Sequence, residues 1–119
     1  MNKKTRELVY NKYNGHCAYC GCKIEYKDMQ VDHIIPIFRN VDSEKTYGNI
    51  RGTDDISNYN PSCRSCNKRK GTFSIEGFRT QLEECHERMM RDNANYRQMI
   101  RYGQIKLIND GKIKFFFEK

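Results

Sequence analysis

Two Cys-x-x-Cys pairs, Cys17/Cys20 and Cys63/Cys66, constrain what this chain can fold into more than any other feature. Zinc takes four nitrogen or sulfur ligands at about 2.0–2.3 Å, and two such knuckles close a tetrahedral shell around one ion. A closed shell leaves no position for water or substrate, so the expected role is structural. The knuckles stand far apart in sequence, so the ion has to draw two distant turns together with something substantial between them. Such a staple suits a chain of 119 residues of which 37% are hydrophobic, because a short polar chain buries only a modest core. Cys22 could substitute as a ligand, although the Cys17/Cys20 spacing fits better, and His16 beside the first knuckle could also serve. Cys85 falls on the apolar stripe of a helix and reads as a core residue. A redox reading of either pair fits poorly, because no βαβ pattern surrounds them.

Residues 1–7 run into mixed charge with no apolar core of a signal peptide, and no apolar run approaches membrane-spanning length. The expectation is a cytoplasmic chain without a membrane partner, where paired cysteines bind metal more often than they form bridges. The formal net charge of +7 attracts polyanions, nucleic acid foremost. Its placement is more telling than its size. Cys66-Asn67-Lys68-Arg69-Lys70-Gly71 sets three cations beside the second knuckle with no acid among them.

The pattern predicts a short helix over 3–14, with Leu8, Val9, Lys12 and Tyr13 on one face and Asn14-Gly15 ending it. A short extended piece is expected at 24–27. A strand follows over 29–35, stopped by Pro36, and residues 39–56 read as a long loop. Residues 57–60 are expected to pair with that strand before Pro61, and 63–70 to begin a helix. A longer helix starts after Ser74, with Phe78, Leu82, Cys85 and Met89 as its stripe, and another spans about 95–102. The tail over 105–117 alternates around Asp110-Gly111 and predicts a β-hairpin.

Between the knuckles lies Val31-Asp32-His33-Ile34-Ile35-Pro36. Adjacent strand residues face opposite ways, so Asp32 and His33 suit different tasks. Aspartate offers a hard oxygen to a divalent cation, and histidine takes a proton near neutral pH. Together with Tyr19-Cys20-Gly21 and the run from Asn58 through Pro61, Cys63, Cys66, Asn67 and Lys70 to Gly71, this segment resembles the HNH endonuclease family, over residues 17–71. The resemblance implies a small zinc-stapled ββα-metal core; with the N-terminal helix and the C-terminal extension of helices and a β-hairpin read from the residue pattern, the expected fold is α+β. One domain over 1–119 is expected, with its core at about 15–72 and the extension at about 73–119.

Carried over by position, the family's roles make His33 the general base and Asp32 and Asn67 the ligands of a catalytic Mg²⁺ or Mn²⁺. Asn58 becomes the amide that braces the loop between strand and helix. Cys17, Cys20, Cys63 and Cys66 hold the structural zinc, and Arg64, Lys68, Arg69 and Lys70 hold the DNA backbone. Asp54 and Asp55 read as solvated loop acids. The implied activity is metal-dependent hydrolysis of phosphodiester bonds in double-stranded DNA, in a setting such as phage biology or bacterial defence. The extension could dock a protein partner or a second copy of the chain. The competing reading is a non-catalytic zinc module that binds nucleic acid; it accounts for knuckles and charge but not for Asp32, His33, Asn58 and Asn67 together.

Overall fold

The computed structural model describes residues 1–37 and 52–119. Most of the expected loop over 39–56 lies outside the described residues. The chain divides into two compact units, residues 1–75 with 115–119, and residues 76–114. Among the described residues no helix is long and apolar enough to cross a membrane.

In the first unit, helix α1 (Lys3–Asn11) is capped by the Asn2 side chain, which accepts from the Thr5 amide at 2.8 Å. It ends earlier than the pattern predicts. Residues 12–15 turn instead, with Asn14 and Gly15 at positive φ and the Gly15 amide reaching back to the Tyr10 carbonyl at 3.1 Å. A Cβ at Gly15 would fall 2.8 Å from the Tyr10 hydroxyl, so glycine is needed there for space as well as conformation. Of the expected face, Val9 is buried while Leu8 is exposed. Polar ties replace the missing apolar contact. Arg6 donates to the carbonyls of Tyr26 and Met29, and Tyr10 to that of Ile24. Residues 26–28 form a 3₁₀ turn where an extended piece was expected.

Strands β1 (Gln30–His33) and β2 (Tyr59–Ser62) form an antiparallel pair in which Asp32 faces Asn60 and His33 faces Tyr59. The second strand thus runs through Pro61 instead of stopping before it. A two-stranded sheet has only edges, where proline is tolerated, and the Pro61 carbonyl accepts from the Ala18 amide of the first knuckle at 2.9 Å. Helix α2 (Arg64–Lys70) follows directly. Val9, Cys17, Ala18, Tyr19, Ile24, Met29, Tyr59 and Phe115 are among the buried apolar residues of this unit. Phe115 reaches it because the last residues pair with the knuckle: the Phe116 and Phe117 amides donate to the carbonyls of Tyr19 and Ala18 at 2.9 and 2.8 Å. The Phe115 and Phe117 rings stand edge-on to Tyr19.

In the second unit the expected long helix is two, α3 (Ile75–Glu83, its first residue still in the first unit) and α4 (Cys85–Asp92). At the break, the Gln81 carbonyl is taken by the Cys85 thiol at 3.3 Å and the Arg88 guanidinium at 2.6 Å. Side chains inserted into the i to i−4 ladder are a recognised cause of such kinks. Cys85 is consequently half-buried, not a core residue, and Met89 is exposed. Helix α5 (Ala94–Arg101) matches its expected span, with Asn93 accepting from the Tyr96 amide at 3.0 Å as cap.

The hairpin expected in the tail is not formed: no residue from 103 to 119 lies in a strand. Asn109–Gly111 does turn, with Asp110 and Gly111 at positive φ. Its flanks find other partners, since the Ile113 amide donates to Glu83 at 3.1 Å and its carbonyl accepts from Arg79 at 2.7 Å. Side chains of α3 thereby satisfy backbone groups that a partner strand would have taken.

Truncating Phe115, which is 2% exposed, to alanine is expected to cost about 3–5 kcal/mol. Ile108→Ala, at a residue 77% exposed, should stay within about 0.5 kcal/mol. Urea unfolding of both variants in metal-replete buffer checks the contrast.

Candidate metal centre and active site

The Sγ atoms of Cys17, Cys20, Cys63 and Cys66 all lie within 4.8 Å of one another. Tetrahedral zinc with bonds of about 2.3 Å puts neighbouring sulfurs roughly 3.8 Å apart, and Cys20 and Cys63 stand at 3.9 Å. The first knuckle is tightened by a Gly21 amide on the Cys17 carbonyl, with Gly21 at positive φ. In the second, Cys63 caps α2, its sulfur accepting from the Cys66 amide at 3.4 Å. A hydrogen bond from Cys66 holds the Cys17 thiol down to about 4. The same contact, with burial, drives Cys66 far above its usual value. Four such close thiols cannot all ionise without a cation, and a dication displaces the protons that otherwise keep them apart. Cys22 and His16 lie outside this group: Cys22 contributes its carbonyl to the Cys17 amide, and the His16 ring contacts the Tyr13 carbonyl at 3.1 Å.

Asp32 is buried, on the face of β1 opposite to His33's ring contacts. Its carboxylate accepts from the Tyr19 hydroxyl and pairs with the Lys70 ammonium at 3.1 Å. Burial pushes the Asp32 carboxyl up from its ordinary range, while Tyr19 and Lys70 oppose the shift. Burial and the adjacent Asp32 charge also push the Tyr19 phenol well up, so Tyr19 is a donor at any working pH. Lys70 is fully buried and also donates to the His33 carbonyl at 2.9 Å. Its expected place on the DNA backbone is therefore corrected: an ammonium with no exposed surface, engaged by a carboxylate and a carbonyl, cannot reach a phosphate outside. The neighbouring Arg64, Lys68 and Arg69 are exposed.

His33 donates through Nε2 to Asp54 Oδ1 at 3.0 Å, and its ring stands edge-on to Tyr59. Tyr59 donates to the same oxygen at 2.5 Å. Asp54 is thus more than a solvated loop acid; nothing local in the sequence marks it, because its partners lie on two strands. Asn58 is buried and makes three bonds, donating to the carbonyls of Ile35 and Thr53 and accepting from the Ile35 amide, each at 2.9 Å. Asn60 instead accepts from Lys12 at 2.9 Å and contacts the Tyr19 hydroxyl at 3.4 Å.

Asp32, His33 and Asn67 line one cleft of about 250 Å³, with Gly71 and Thr72 at the end of α2. The Asn67 side chain makes no hydrogen bond to any described residue. A carboxylate and a free amide carbonyl are hard oxygen donors, a set that fits Mg²⁺ or Mn²⁺. A carboxylate has about four acceptor sites, so the bonds from Tyr19 and Lys70 leave capacity on Asp32.

The sequence model described as HNH endonuclease matches residues 17–73. Over 68 residues, 54% of this chain and 26% of that protein, the chain is 40% identical to the "SPbeta prophage-derived putative HNH endonuclease YoqL" of Bacillus subtilis (strain 168). Over 61 residues it is 38% identical to the Septu protein PtuB of Bacillus thuringiensis, covering 50% of this chain and 20% of PtuB. The chain thus matches about a quarter or less of the length of these relatives. Its fold is similar to that within the type II-C Cas9 enzyme of Actinomyces naeslundii, with a TM-score of 0.51 and 19% identity over 84% of this chain and 10% of the Cas9 chain. Residues 17–73 are thereby an HNH-family segment, built as a mixed helix and two-strand core around a four-cysteine cluster.

Lys70→Ala would leave Asp32 buried without its counter-charge and is expected to cost about 3–5 kcal/mol. Lys68→Ala, on the exposed side of the same helix, should change stability by less than about 0.5 kcal/mol. Denaturant unfolding distinguishes the two. Metal analysis should find one zinc per wild-type chain and none in Cys63→Ser, with the core of the variant unfolded.

Proposed function

We propose that this chain is a metal-dependent DNA endonuclease that hydrolyses phosphodiester bonds in the cleft lined by Asp32, His33 and Asn67. The observation that carries the reading is that Asp32, His33 and Asn67, the last directly after Cys66 of the four-thiol cluster, line one cleft. In this reading Cys17, Cys20, Cys63 and Cys66 hold a structural zinc, and Asp32 and Asn67 would hold Mg²⁺ or Mn²⁺. When bound, that cation supplies charge stabilisation at the phosphate and the leaving oxygen. His33 takes the proton of the attacking water. Asn58 keeps the ends of the intervening segment, at Ile35 and Thr53, in fixed register beneath His33. Arg64, Lys68 and Arg69 are exposed cations on the same helix as Asn67, suited to hold the phosphates of double-stranded DNA without reading sequence.

In this reading residues 1–119 form one nuclease domain, with 73–119 open to a protein partner or a second copy. The prophage origin in one relative's name favours a phage setting. One observation favours the alternative of a non-catalytic zinc module: Lys70 already neutralises Asp32.

Plasmid nicking separates the readings. The wild type is expected to cut supercoiled DNA with Mg²⁺ or Mn²⁺ and to stop when a chelator removes the added cation. His33→Ala should lose cutting by at least about a hundredfold, with zinc content and melting temperature unchanged. DNA binding without cutting by the wild type under every cation would leave the binding module standing.

A further inference from the structure

We propose that Asp54 is the positioning residue of His33: its carboxylate fixes the ring's tautomer and orientation, and Tyr59 fixes the carboxylate. The inference rests on the nuclease reading for its purpose, but the geometry is independent of that reading. A carboxylate only accepts, so the 3.0 Å contact at Nε2 requires the proton of the neutral ring to sit on Nε2. Nδ1 then keeps the lone pair and is the nitrogen left to receive a proton from water.

Asp54 is itself held. Its Oδ1 takes a second bond from the hydroxyl of Tyr59, a buried residue on β2 directly across from His33 in the sheet register. The Tyr59 ring stands edge-on to the imidazole at 5.3 Å, so one side chain orients both partners of the dyad. The residue before Asp54 is tied down as well, because Asn58 donates to the Thr53 carbonyl at 2.9 Å. Asp55 then caps the 3₁₀ turn at 56–58 by accepting from the Ser57 amide at 3.3 Å. An aspartate that is 57% exposed and serves only solvation would need none of this bracing. The acid on one side and the cleft on the other leave the imidazole one useful arrangement, the logic by which an orienting group serves a general base.

The test uses the full chain, zinc-loaded, with Asp54→Ala, Asp54→Asn and Tyr59→Phe. Long-range nitrogen-15 spectra of the imidazole, taken where the ring is neutral, report the tautomer directly. The wild type should show His33 protonated on Nε2. Asp54→Ala should mix the tautomers, and Asp54→Asn, whose amide can donate, should shift the ring towards Nδ1–H. In the cleavage assay both variants should lose kcat by roughly 10–100-fold with KM for DNA and zinc content unchanged, and Tyr59→Phe should lose less. A His33 tautomer unmoved by Asp54→Ala overturns the proposal. So does a moved tautomer with kcat unchanged in an active protein. If the wild type cuts no DNA, the nuclease reading fails by that result, and the spectra still decide whether Asp54 sets the ring.

Discussion

A helix of seven residues does not hold itself together in water, and α2 is that short. It is pinned at both ends. At its start, Cys63 and Cys66 join the cluster with Cys17 and Cys20; at its end, the Lys70 ammonium lies between the Asp32 carboxylate and the His33 carbonyl. The first pin ties the helix to the knuckle and the second ties it to β1. Asn67 lies between the pins, so the helix holds it in the cleft that Asp32 and His33 also line. The same two pins explain why so little sheet suffices. Two strands of four residues would be marginal alone, but β1 is anchored by Lys70 and β2 runs directly into the helix that carries it.

The buried polar groups form a continuous set. Lys12, just after α1, holds the Tyr59 carbonyl and Asn60, Asn60 meets Tyr19, Tyr19 and Lys70 meet Asp32. Every buried side-chain nitrogen and oxygen among the described residues has a partner. Such a network adds little net stability over an apolar core of the same volume, because desolvation offsets much of the attraction. It does penalise misplacement, since removing any one member leaves another buried and unpaired. With so few buried apolar residues among the described ones, that selectivity helps fix which way β1 faces.

Those parts of the molecule that depend on local chemistry were legible in the sequence. The knuckles, the Asp32-His33 strand, the helix after Cys63 and the helix near 95–102 follow from spacing, alternation and capping. The family resemblance implies Asn58 as the loop brace, and its three backbone bonds suit that task. What was not legible depends on partners distant in sequence. The tail alternates as a hairpin should, yet Arg79 and Glu83 take the backbone of Ile113 and the knuckle takes Phe115–Phe117. The stripe from Phe78 to Met89 has helical spacing, yet Arg88 breaks its ladder at Gln81. Asp54 carries no local mark of its contact with His33.

Charge gives the sharpest case of the difference. The run Lys68-Arg69-Lys70 looks like three equivalent cations available to a polyanion, but a helix divides such a run among its faces. Lys70 points inward and is consumed by Asp32, whereas Lys68 and Arg69 stay outside with Arg64. Arg6, Lys12 and Arg79 are likewise engaged by backbone carbonyls of their own units. The net charge of +7 therefore measures attraction at a distance, which falls off over a Debye length of about 8 Å in physiological salt. Contact with a phosphate would need a cation at the surface, and on α2 the exposed cations are Arg64, Lys68 and Arg69. A helix that spends one cation on its own fold and keeps three for solvent can stay docked to β1 while it meets a charged partner.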